Sequence, residues 1–168
     1  MKALRMTNPA SISSPHPLDR LIADQHVVLS VLERAHECGV DTPVGASLLG
    51  TLRRPLEAYL AICDGLIYPS LEELAERDRE LLRSLADVRP HRALLAQVRA
   101  FFERHADVRH PAIMEDWALV YLGVRRRLRL ERERLFPVLR ASRLANDLEL
   151  PTAGPRRPGR SGVVLKER

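Results

Sequence analysis

The stretch from Val124 to Pro137, V-R-R-R-L-R-L-E-R-E-R-L-F-P, decides how the rest of this chain is read. Val124, Leu128, Leu135 and, just beyond, Val138 recur at helical spacing, and Arg127 and Glu131 fall on the same stripe, four residues apart. A carboxylate on an inward face is costly unless it meets a cation or a metal. Two readings of Glu131 follow. In one, the guanidinium of Arg127, one turn back, neutralises it. In the other, Glu131 is a metal ligand in a helical bundle, where carboxylates and imidazoles from facing helices converge.

Outward from this stretch the same period governs the chain. The segment from Pro111 to about Leu144 reads as one amphipathic helix through Trp117, Val120, Val124 and Leu128. Before it, Asp78 to His105 reads as another, through Leu81, Leu85, Val88, Leu95, Val98 and Phe102, with Pro90 as a kink or break and His91 on the stripe. Asp41, Thr42 and Pro43 signal the start of a helix running to about Ala75, through Leu49, Leu52, Leu56, Tyr59, Cys63 and Leu66. Pro55 and Pro69 lie inside it, and the apolar period continues across both, so they are expected to bend it rather than end it. The first helix starts at Pro17 and follows Leu18, Leu21, Ile22, Leu29 and Leu32 to about Cys38, with His26 on that face and Gly39 as its stop. Four such helices joined by short connections predict an all-α, antiparallel up-down four-helix bundle.

Of the 168 residues, 45% are hydrophobic and only 4% aromatic, which suits one domain with an aliphatic core. Residues 1–16 read as a flexible arm, 17–145 as the bundle, and 146–168, rich in Pro, Gly and Arg, as a disordered basic tail. The net charge of +5 sits at these ends: residues 1–17 carry +2 and 151–168 carry +4, leaving −1 for 18–150. Arg125, Arg126 and Arg129 therefore read as a solvated helix face, and a tail without aromatic residues for base stacking argues against nucleic acid as a partner. The longest apolar run, Ala118 to Val124, is too short for a bilayer. Two cysteines and a start without a signal-peptide pattern predict a reduced, cytoplasmic setting. No nucleophile triad, phosphate-cradling Gly loop or Cys-x-x-Cys pair suggests an enzyme.

The two halves share an outline: a helix with an inward His, then a helix ending in Y-P-S-L (68–71) or F-P-V-L (136–139). From Leu18 to Leu144 this arrangement resembles the haemerythrin-like His-His-Glu cation-binding family. The resemblance implies a four-helix bundle around a non-haem di-iron centre, with a His on the first and third helices and a His-x-x-x-Glu on the second and fourth. The first-helix His matches His26 in D-Q-H-V-V-L, and the third-helix His matches His91 in R-P-H-R-A-L-L. Counting back from Phe136-Pro137 places the fourth-helix Glu at Glu131 and its His at Arg127; counting back from Tyr68-Pro69 places the second-helix pair at Tyr59 and Cys63, with Asp64 adjacent.

Three of six positions thus keep the family's residue type. Tyrosine and cysteine can ligate iron, but an always-protonated arginine cannot. The resemblance implies non-enzymatic binding or sensing of a metal ion, oxygen or nitric oxide at a partly eroded iron site, with His26, Tyr59, Asp64, His91 and Glu131 as the metal-binding set. The alternative is a metal-free structural or regulatory interaction bundle in which Arg127 replaces the metal's charge between Glu131 and Asp64. Cys63 reads as a small buried hydrophobe. His16, His36, His105 and His110 fall off the inward stripes or in connections and receive no role, although His110 with Glu115 and Asp116 forms the best external metal pair.

Overall fold

The computed structural model describes residues 17–76, 78–91, 93–106 and 111–141, without the side chains of Leu74 and His91. The expected arm (1–16) and tail (146–168) lie outside the described residues, as does His110. Among the described residues every regular element is helical.

Helix α1 spans Pro17–Cys38 and buries Leu18, Leu21, Gln25, Val28, Leu32 and Ala35, a stripe whose steps alternate between three and four residues. Gly39 ends it with a φ of 75°, where a side chain would be strained. The Thr42 hydroxyl then accepts the Gly45 N–H, and Pro43 fills the first helical position of α2, Pro43–Ile62. Here α1 and α2 approach so closely that a Cβ on Gly45 would stand 2.0 Å from the Gly39 carbonyl oxygen. Pro55 sits within α2 without ending it.

Beyond α2 come a π-helical turn, Cys63–Ile67, and α3, Tyr68–Ala75, which continue the same rod. Asp78 caps α4, Arg79–Val88, by accepting the N–H groups of Glu80 and Leu81. The expected third helix is in fact two. A 3-10 turn, Arg89–His91, carries Pro90, and α5 begins anew at Leu94 and runs to Arg104. The last rod starts two residues later than the Pro111 signal suggests, as α6, Ile113–Leu130. It passes through a second π turn, Glu131–Leu135, into α7, Phe136–Ala141.

Both π turns precede an aromatic-proline pair, for the same reason. Pro69 and Pro137 have no N–H, and each ring crowds the carbonyl four residues back. Widening one turn relieves that crowding, and the Tyr68 and Phe136 N–H groups reach the carbonyls of Cys63 and Glu131, five residues back. The extra residue shifts the register, so that Ile67 and Tyr68, and likewise Leu135 and Phe136, are buried as neighbours.

The core closes by pairwise contacts of α1 with α2, α2 with α5, α5 with α6, and α6 with α1, while α4 covers α3 and the second π turn. It is mostly aliphatic, and Leu32, Leu56, Leu60 and Leu71 are wholly buried. Each such leucine contributes roughly 1.5–3 kcal/mol over an exposed one. Among the described residues no helix is long and apolar enough to cross a membrane.

Candidate functional site

Glu131 opens the second π turn with only 1% of its surface exposed. Its Oε1 accepts from Arg127 Nε at 2.8 Å and from the Tyr68 hydroxyl. Its Oε2 accepts from the Tyr59 hydroxyl at 2.6 Å and from Gln25 Nε2 at 3.3 Å. Two donors on each oxygen fill the acceptor capacity of a carboxylate.

Arg127 is fully enclosed and serves two carboxylates at once. While its Nε faces Glu131, its Nη2 donates to Asp64 Oδ1 at 2.8 Å and its Nη1 lies 3.5 Å from Asp64 Oδ2. The Tyr68 ring lies under the guanidinium, 5.0 Å from Cζ to centroid. Gln25 Nε2 is also within reach of the Tyr59 oxygen at 3.0 Å and the Leu128 carbonyl at 3.1 Å. Tyr59 therefore accepts from Gln25 and donates to Glu131, which ties α1, α2 and α6 into one network.

Burial pushes the Tyr59 phenol and the Cys63 thiol well above their ordinary pKa, and the nearby Glu131 charge adds to both effects. Tyr68 is raised for the same two reasons, with Arg127 opposing. Burial works against the Arg127 charge, but the Glu131 charge and the hydrogen bonds to Glu131 and Asp64 outweigh it, so its pKa is raised further. The network thus holds neutral phenols, a neutral thiol and a firmly charged guanidinium.

Of the residues expected from sequence to bind a metal, Tyr59, Asp64 and Glu131 meet here, with Cys63 beside them. His26 does not. It is exposed on α1, because the alternating three-four stripe turns Gln25 inward and leaves Ile22 and Leu29 only half-buried at its edge. The His91 side chain lies outside the described residues. His105, expected off the inward stripes, is instead buried with its Nε2 2.7 Å from Asp116 Oδ2. That bond, with Arg104, holds the Asp116 carboxyl below its usual range.

Gln25 and Tyr68 are the two members that sequence reading missed. The signal for Tyr68 was the aromatic-proline pair repeated in both halves, which marks the widened turn. The two halves match: Tyr59, Cys63 and Tyr68 stand to the first π turn as Arg127, Glu131 and Phe136 stand to the second.

The described residues around Glu131 do not fit a non-haem iron centre. A guanidinium occupies the space between the carboxylates and cannot ligate, and both Glu131 oxygens are already saturated. Among the described residues no three His, Cys, Asp or Glu side chains are grouped to hold a metal ion. No family model, curated protein or solved structure matches the chain.

Proposed function

We propose that residues 17–141 form a haemerythrin-like four-helix bundle that works without a metal, as a non-enzymatic structural or regulatory interaction module. One observation carries this reading: the Arg127 guanidinium bridges Glu131 and Asp64 in the interior, as a metal cation would. The matched halves and the ring of contacts among α1, α2, α5 and α6 support the bundle.

The test is metal content together with metal response. Protein purified without chelator is assayed for iron, zinc and manganese, then melted anaerobically with and without ferrous iron. The expected result is substoichiometric metal and an unchanged melting temperature. Stoichiometric metal, or a melting temperature that climbs with iron concentration as ligand linkage requires, overturns the reading.

A further inference from the structure

Gln25 is 1% exposed, yet besides its inward bonds it forms part of the floor of a surface groove of about 440 Å³ between α1 and α6. That volume lies in the range of small-ligand sites, roughly 300–1,000 Å³. Leu29 and Leu122 give the groove apolar walls, with Leu122 60% exposed and Leu128 buried beneath them.

Around this apolar strip stand four arginines and two glutamates. Arg129 is held by Glu133 at 2.9 Å, and Arg125 lies 3.9 Å from Glu33. Arg126 and Arg132 have no ion-pair partner among the described residues. Arg132 also borders a second depression of about 540 Å³ lined by Ile22 and Phe136, so an unpaired guanidinium sits between two apolar spaces.

We propose that this groove is a binding site for a small amphiphilic carboxylate, with its head on Arg126 and Arg132 and its hydrocarbon body along Leu29 and Leu122. Guanidinium forks match a carboxylate in geometry and charge. The chain's own ends are poor occupants, since residues 1–17 and 151–168 carry +2 and +4 and are repelled by the arginines. Of the Arg127–Glu131 network the groove touches only Gln25 and Leu128, and its exposed arginines do not depend on whether that network is metal-free.

Calorimetric titration of the full chain with sodium decanoate, below its micelle concentration, tests the proposal. One decanoate per chain is expected, with decyltrimethylammonium, of equal chain length and opposite charge, failing to bind. R126E with R132E should weaken decanoate binding by about tenfold or more, and L122S should weaken it too. R83E on α4, another exposed arginine, should change nothing. All three variants alter exposed residues, and circular dichroism verifies their folding. The proposal is overturned by no decanoate binding up to about 1 mM, by equal binding of the two detergents, or by decanoate binding that R126E/R132E leaves intact. Binding of a short oligonucleotide or of anionic vesicles without free decanoate also overturns it, and identifies a polyanion or membrane surface instead.

Discussion

Arg127 and Glu131 lie one helical turn apart on α6 and its π turn, and their Nε–Oε1 contact of 2.8 Å is sealed from solvent at both ends. Exposed pairs at this spacing contribute only about 0.3–0.5 kcal/mol. Burial changes their weight, because removing one partner leaves an uncompensated charge in the core. Asp64 and three neutral donors complete the arrangement, so the whole cluster stands or falls with its charge balance.

Arg127→Met should therefore destabilise the fold by about 3–5 kcal/mol in urea unfolding. Adding Glu131→Leu removes the stranded carboxylate, so the double variant should lose less than the sum of the two singles. A near-neutral Arg127→Met would sink the idea that the guanidinium supplies an essential interior charge.

Tyr68→Phe and Tyr59→Phe each delete one hydroxyl donor to Glu131 with little change in packing. Each should cost about 1.5–3 kcal/mol, the range for hydrogen bonds to charged groups. If either variant matches the parent in chemical denaturation, that hydroxyl does not serve the carboxylate.

Helix boundaries were legible where side chains carry the signal. Gly39, Thr42 and Pro43 each act as read, and the ion pairs of Arg127 with Glu131 and Asp64 were recognisable from the spacing of the charges. The π turns were not, because helical periodicity assumes a constant step and each proline inserts an extra residue. That insertion hid Tyr68. Gln25 was hidden differently: a polar residue beside a histidine in D-Q-H drew the ligand role to His26, though the Leu18, Leu21, Val28, Leu32 spacing selects Gln25.

This distinction is measurable. His26→Ala changes an exposed residue and should stay within about 0.5 kcal/mol of the parent. Gln25→Leu removes the donor to Glu131 and should cost about 1–3 kcal/mol. A reversed order of effects in thermal melts would return the inward role to His26.

Gly45→Ala tests the α1–α2 junction. The new methyl would meet the Gly39 carbonyl oxygen at 2.0 Å, with backbone rather than a flexible side chain as its neighbour. Overpacking of this kind should cost about 1–3 kcal/mol. Gly50→Ala, where a Cβ meets nothing within 4 Å, is the control, and should be neutral or slightly stabilising.

Alkaline titration examines the phenols directly. Tyr59 and Tyr68 have folded pKa values raised by burial and by the Glu131 charge, whereas in the unfolded chain they ionise near about 10. A group raised on folding contributes stability that is fully present below its unfolded pKa and lost as pH climbs toward its folded one, since the unfolded state alone releases the proton. The fold should thus weaken steadily above about pH 10. In a Tyr121→Phe background these two are the only tyrosines in the chain. Tyrosinate absorbance at an ultraviolet wavelength should then rise only together with loss of helical circular dichroism. Absorbance that rises while the helical signal stays intact would show phenolates forming inside the folded protein, and would mean that neither hydroxyl is committed to Glu131.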